Sequence, residues 1–294
     1  MSSVDQDRAR VVSPVESAST ASRLVVGDDG SPAADVVWLW VNNHRWPGWR
    51  ISVVSARAPE IGPPVGAERA TLHPWAPPHP RQLLTGDEAD VEHLFAETDP
   101  RLALDGCADA ALVAVGPRGH GLLKHLHIGS TTEWLIGARR PLAPVVVVRS
   151  ARATKDVLFC TDGSAHARSA LEALLVLPWL TSCRITVMGV NDGRNQTGSA
   201  VEQAVAMLRE HGVDRVEHEV VDALPRTAGF DVRSLILSRI AEQSPDLVAV
   251  GARGTGGIRG LLVGSVTTAV VHHAPCSVLV ARTAESEERV DGHD

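Results

Sequence analysis

The feature that most constrains this 294-residue chain is that it contains itself twice. RLVVGDDGSPAADVVWLW (23–40) lies over DVLFCTDGSAHARSALEA (156–173), each reading as apolar strand, Asp-Gly-Ser, then helix. Asp29 and Asp162 stand 133 residues apart. WRISVVSA (49–56) matches CRITVMGV (183–190), and the stretch 109–150 matches 245–282, with Gly116 and Gly251 separated by 135. Three blocks that keep their order and almost their spacing imply duplication, so whatever one copy folds into must be built twice.

Each copy runs strand, helix, strand, a variable middle, strand, glycine-rich loop, helix, final strand. ALVAVG, DLVAVG and PVVVV are short unbroken apolar runs, the pattern of strands covered on both faces. Strands alternating with helices imply a parallel, doubly wound α/β sheet with right-handed crossovers, Rossmann-like in each copy. In copy two the middle holds two helices, SAVEQAVAMLREHG (199–212) and DVRSLILSRIAEQSP (231–245). In copy one, 57–84 is too rich in proline for a helix interior, which predicts that one helix has given way to an extended loop. The expected division is a disordered tail at 1–22, a divergent first domain at 23–150, a second at 155–283 and an acidic tail at 284–294.

Bulk composition narrows the function class. Hydrophobic residues at 44% and charged residues at 21% are those of a soluble globular chain. A net charge of −7 supplies no global field for nucleic acid or an anionic membrane, so any anion site must be local. No stretch reaches the roughly 20 apolar residues of a membrane span. Four scattered cysteines and an N-terminus without an apolar signal core point to the cytoplasm. Trp38, Trp40, Trp46 and Trp49 are read as core indoles in preference to a base-stacking platform.

In open α/β sheets ligands gather beyond the carboxyl ends of the strands. Asp29 and Asp162 fall there at the end of the first strand of each copy, Gly116 and Gly251 at the end of the strand before the glycine loop. Ser31 with Pro32 reads as a helix N-cap and first turn. The neighbouring aspartate has two open readings: an acceptor for ribose or base, or the closure of its own turn. The pattern G-x-x-G-x9-G-S occurs at Gly116, Gly119, Gly129 and Ser130 and again at Gly251, Gly254, Gly264 and Ser265. Glycine admits close backbone approach to phosphate, and a helix opening at Gly-Ser offers free N–H groups and a positive dipole end. The hydroxyls of Ser265 and Thr267 would add donors. Ser130-Thr131-Thr132-Glu133 also reads as a capping box, which satisfies a helix start without any ligand. Arg118 and Arg253 occupy the same place in the two loops, facing phosphate or solvent. His120, His125 and His127 lack a companion set of ligand spacing, so no metal site is expected. His272-His273 reads as a helix C-terminus before Pro275.

The strand with Asp-Gly-Ser, followed by D-L-x-V-x-G-x-R-G and G-S-V-T before the last helix, resembles the universal stress protein family. The resemblance covers nearly all of 23–282 and suggests a tandem-domain member. In that family the glycine pattern marks the ATP-binding branch, which implies ATP, with or without Mg2+, as cofactor. Carried over, Asp162 meets ribose or adenine, Val190 flanks the base, and Gly251, Arg253, Gly254, Gly264, Ser265, Val266 and Thr267 hold ribose and phosphates. The corresponding positions in copy one are Asp29, Ala56, Gly116, Arg118, Gly119, Gly129, Ser130, Thr131 and Thr132. Copy one departs at Asp28, which adds charge beside the ligand, at Ala56, and in its proline-rich middle, which favours the second site. The resemblance also implies that the last strands, 144–148 and 277–281, join the copies into an internal pseudo-dimer, and that two chains pair into a homodimer. The expected function is a nucleotide-dependent stress regulator without fast catalysis. No nucleophile–base pair or Walker lysine is visible. A slow ATPase, or a scaffold that has lost its nucleotide, stands as the alternative.

Overall fold

A computed structural model describes residues 21–58, 70–84, 89–107, 109–119, 128–137, 143–191, 193, 197–223, 231–255 and 263–283. Residues 1–20 and 284–294 of the expected tails, and His120, His125 and His127, lie outside them.

In chain order the first copy forms β1 (Arg23–Gly27), α1 (Pro32–Asn42), β2 (Arg50–Ala56), β3 (His73–Pro74), β4 (Asp90–Ala96), α2 (Pro100–Asp105), β5 (Leu112–Val115), α3 (Ser130–Gly137) and β6 (Val145–Val147). The second forms β7 (Asp156–Thr161), α4 (Ala165–Leu175), β8 (Arg184–Asn191), α5 (Thr197–Glu210), β9 (Arg215–Asp222), α6 (Val232–Gln243), β10 (Leu247–Gly251), α7 (Ser265–His273) and β11 (Ser277–Ala281). All eleven strands make one sheet, ordered β3-β4-β2-β1-β5-β6-β11-β10-β7-β8-β9. Within each copy the long strands are parallel, and strand order reverses beside β1 and again beside β7. That reversal opens a crevice at the carboxyl edge of the sheet.

The copies meet where β6 runs antiparallel to β11, with Val147, Val146 and Val145 opposite Val278, Leu279 and Val280. Val146 and Leu279 hold equivalent positions in the repeat, so a pseudo-twofold axis passes between them. The duplication read from the sequence is therefore one continuous α/β sheet, and the internal pseudo-dimer is formed by its two last strands.

Alternation along the strands divides the core. Leu24 and Val26 face a layer containing α1, α4 and α5, while Val25 faces a layer containing α2, α3, α6 and α7. The indoles belong to the first layer. Trp40, Trp46 and Trp49 are buried, with Trp46 edge to face with each of the other two, and Trp179 of the second copy closes on Trp40 at 6.0 Å between ring centroids. Trp46 and Trp49 precede β2, which puts the cluster at the amino edge of the sheet, away from the crevice. The core reading of the tryptophans holds.

His44 is threaded into this cluster, 4.5 Å from the Trp40 ring and 4.4 Å from the Trp179 ring. Its Nδ1 donates to the Trp40 carbonyl at 2.7 Å, and its Nε2 accepts the Thr154 N–H at 2.9 Å. One neutral imidazole thus ties copy one to the segment that begins copy two. Burial drives its pKa from 6.5 down to about 4, against smaller opposing effects from the Trp40 carbonyl and Asp246.

In the middle of copy two both expected helices are present as α5 and α6. In copy one, residues 70–84 carry only the two-residue β3, antiparallel to β4, and α2 is half the length of its counterpart α6.

Candidate functional site

The second residue of Asp-Gly-Ser must be glycine in both copies, because Gly30 and Gly163 adopt φ of +73° and +78°. The turn delivers Ser31 and Ser164 to the N-caps of α1 and α4, where their hydroxyls accept the N–H of Ala34 and Ala167 at 3.2 and 3.1 Å. Asp29 Oδ1 accepts the Ser31 N–H and Asp162 Oδ1 the Ser164 N–H, each at 3.0 Å. The turn-closing role of the aspartates is thus present.

Their second oxygen reaches across the crevice. Asp162 Oδ2 accepts the Thr255 N–H at 2.6 Å, which fastens the glycine loop to the end of β7. A Cβ on Gly254 would stand 2.5 Å from that oxygen, and one on Gly119 only 1.9 Å from Asp29 Oδ2. The aspartate and the second glycine of the motif are therefore one contact, repeated in each copy. The first glycine answers to a different neighbour: a Cβ on Gly251 would meet the backbone of His166 and Ala167 at 2.5–2.6 Å, where α4 crosses the end of β10.

The third glycine opens the last helix. Gly264 is the N-cap of α7 and provides no capping side chain. In copy one the Glu133 N–H bonds to the Gly129 carbonyl at 2.9 Å, so Gly129 occupies the same place and Ser130 is the first residue inside the helix. The expected capping box is thereby corrected: Ser130 sits one position too late to cap. Thr267, buried, donates its hydroxyl to the Gly251 carbonyl at 2.6 Å, and Thr132 donates to the Gly116 carbonyl at 2.8 Å. These threonines brace the strand end, and their proton is not offered to a ligand as expected. Ser130 and Ser265, exposed, keep that option.

In copy one these parts enclose a cavity of about 280 Å³. Asp29, Ala56, Gly116, Arg118, Gly119, Gly129, Ser130, Thr131 and Thr132, every residue transferred to copy one, line it. Ala34, Val54, Leu104 and Ile128 complete an apolar wall opposite the polar loop. An apolar slot beside a row of backbone N–H groups suits a ligand with a flat hydrophobic part and an anionic part. In copy two the equivalent elements set Gly254 against Asp162 and Gly264 against the backbone of Arg253, and Val190 lies buried at the end of β8.

Asp28 behaves differently from the expectation that it burdens the site with charge. Arg81, from the proline-rich segment, grips its carboxylate with Nε at 2.8 Å and Nη2 at 3.2 Å, and reaches Asp35 with Nη1 at 2.8 Å. The Arg81 N–H in turn bonds to His93 Nε2 on β4 at 2.9 Å. Burial pushes the Asp28 pKa up, but hydrogen bonds from Arg81 and the Gly30 N–H, with the Arg81 charge, bring it to a net position below the usual value. The segment that replaced a helix therefore supplies the counter-ion for the divergent aspartate. One signal of β4 was in the sequence: Val91-Glu92-His93 recurs as Val216-Glu217-His218, at matching registers on β4 and β9.

The four cysteines are free and buried, and desolvation raises their thiols to about 11 or 12, which leaves them unreactive. Among the described residues no three His, Cys, Asp or Glu side chains group as metal ligands, and no helix is long and apolar enough to cross a membrane.

Residues 153–282 match the model of the universal stress protein family. A Staphylococcus haemolyticus protein named for that family is 27% identical over 145 residues, covering 46% of this chain and 88% of its own length. A Staphylococcus aureus relative is 28% identical over 142 residues, covering 45% and 86%. Among solved structures, a universal stress protein from Archaeoglobus fulgidus superposes with a TM-score of 0.63 at 18% identity, over 90% of this chain and 99% of its own. At that identity the superposition speaks for the fold, and it extends the likeness beyond the matched second copy to most of the chain.

Proposed function

From the match of residues 153–282 to the universal stress protein family, we propose that the chain is an adenine-nucleotide-binding regulator of that family, with ATP as the ligand. The observation that carries this reading is the cavity in copy one, where all nine transferred positions meet around a helix start capped by glycine alone. The base and ribose would lie against Ala56, Val54 and Leu104, and the phosphates along Gly119, Gly129 and Ser130, with Arg118 as the cation. Copy two would hold a second nucleotide through Asp162, Val190, Gly251, Arg253, Gly254, Gly264, Ser265 and Val266. Pairing Asp28 with Arg81 removes the electrostatic objection to the first site, so both copies are proposed to bind. The two copies are proposed as domains at 23–150 and 155–283. Among the described lining residues no nucleophile is held by a base, and occupancy is proposed as the signal.

Denaturing the purified protein and identifying released nucleotide is the direct test, supported by calorimetric titration with ATP. A folded protein that neither releases nucleotide nor binds ATP would establish the scaffold reading. Multiple turnovers per site, abolished together with binding in a variant carrying both Gly129→Ala and Gly264→Ala, would establish the slow ATPase. Two chains are further proposed to pair through a surface other than β6 and β11, because each of those strands already has a neighbour on both sides. Sedimentation velocity decides this, a single 31.2 kDa species at all concentrations being the contrary result.

A further inference from the structure

We propose that the proline-rich strap of copy one, residues 70–84, is an acid-released latch on that copy's nucleotide site, held shut by the neutral imidazole of His93. Protonation of His93 releases the strap and with it Arg81, so that copy one loses ATP affinity on acidification while copy two keeps it. This deepens the nucleotide reading of the copy-one cavity and rests on it.

The strap is tied at both ends and in the middle. At its start β3 pairs with β4, and the Trp75 N–H continues the pairing to the His93 carbonyl at 2.9 Å. At its end the Leu84 N–H bonds to Oδ1 of the buried Asn42 in α1 at 2.7 Å. Residues 75–84 form neither helix nor strand, and their central tie is Arg81. Its guanidinium spans Asp28 and Asp35, and its backbone N–H bonds to His93 Nε2 at 2.9 Å. His93 therefore grips the strap twice, once through its carbonyl and once through its ring.

Only the grip of the ring depends on protonation. Nε2 accepts a hydrogen bond while the ring is neutral, with its proton on Nδ1. An imidazolium carries N–H at both positions, so its Nε2–H would point at the Arg81 N–H, beside a guanidinium of the same charge. Burial lowers the His93 pKa from 6.5; Asp28, from the end of β1, opposes this, and Arg81 adds to it. From α1, Asp35 pairs with Arg81, and on the strap itself His73 and His79 are exposed. The closed strap thus holds a proton on His93 more weakly than solvent does, and by linkage that proton favours the open strap. The ring's tie is complete above pH 6.5 and is lost as pH falls through the lowered value.

Opening reaches the ligand because Asp28 lines the cavity. With Arg81 withdrawn, its carboxylate faces a polyphosphate uncompensated. The repeat shows that the turn does not require this charge. Thr161 stands at the equivalent position in copy two, where its hydroxyl accepts the Gly163 N–H at 3.2 Å as Asp28 accepts the Gly30 N–H at 2.9 Å. His218, at the register of His93, is exposed, and α5 lies on β9 in place of a strap. The carboxylate and its latch therefore belong to copy one.

The test reads strap and ligand separately in the full chain. Hydrogen exchange at the Arg81 amide, without nucleotide, is compared between wild type and His93→Gln at about pH 8 and about pH 5.5, since the glutamine carbonyl accepts the Arg81 N–H at either. Equal protection is expected at the higher pH, and at least ~5-fold faster exchange in the wild type at the lower. ATP is then titrated with Gly264→Ala present in each protein, so that copy one dominates the signal. Over the same interval the chain with His93 should lose about tenfold in affinity relative to His93→Gln, with an unchanged circular dichroism spectrum. Asp28→Asn should remove that loss while the strap still opens. Equal exchange in the two proteins at the lower pH overturns the latch. Strap release without a difference in ATP affinity overturns its coupling to the site. Failure of ATP to bind at the higher pH overturns the nucleotide reading and the coupling with it, while the exchange result still decides the latch.

Discussion

A motif of three glycines turns out to impose three different steric demands. Gly251 makes room for the backbone of α4, Gly254 for the Asp162 carboxylate, and Gly264 caps α7 with only a 3.4 Å contact facing its missing Cβ. Gly264→Ala is therefore expected to fold with a melting temperature near wild type while ATP affinity at the copy-two site falls at least ~10-fold, about 1.4 kcal/mol. Gly251→Ala is expected to lower stability by roughly 1–3 kcal/mol through backbone displacement, visible in chemical denaturation. Equal stability losses in the two variants would contradict this division. Arg81→Met should leave Asp28 uncompensated beside the cavity and weaken ATP binding about tenfold, with Asp28→Asn restoring it in the double variant. The glycine pattern was legible in the sequence because its repetition preserved it. Arg81 was not, since its partner lies 53 positions away and no local pattern connects a proline-rich loop to a strand end. Ser130 was misread for the opposite reason: a local pattern satisfied a capping rule, yet the loop enters the helix one residue earlier.

Among the elements, those with strong periodicity were foreseen and those defined by their neighbours were not. Continuous valine runs announced β5, β6 and β10, and the amphipathic spacing of Val201, Ala204, Val205 and Leu208 announced α5. β4 and β9 carry charged residues at alternate positions and sit near the sheet margins, so they lack the buried-strand signature. The connection from α1 to β2 is held by His44 within the tryptophans, and its titration gives a signed expectation. The folded state keeps the imidazole neutral down to about pH 4, whereas the unfolded chain protonates it near 6.5. Its contribution is complete above pH 6.5 and disappears as pH falls from there to about 4, amounting to about 3 kcal/mol. Urea denaturation across this range should show the decline, and His44→Gln should flatten it. An identical pH slope in that variant would place the acid sensitivity elsewhere.

For the whole molecule, one sheet shared by both copies and an imidazole bonded between them predict a single cooperative transition in scanning calorimetry. Two separated transitions would show that each copy folds alone. Duplication was legible from 23 to 282, and the family resemblance pointed to 144–148 and 277–281 as its junction, but only the structure shows the antiparallel register that sets Val146 against Leu279.

That register carries a consequence for dosage. Two separate polypeptides meeting edge to edge would obey mass action, so dilution would unpair them and like copies would compete with unlike ones. Here the partner is tethered, its effective concentration is fixed by a short connection, and the pairing is always one of each kind. Each copy is thereby released from having to recognise itself. A proline-rich segment and its Asp28–Arg81 pair can then accumulate on one side without any identical counterpart having to accommodate them.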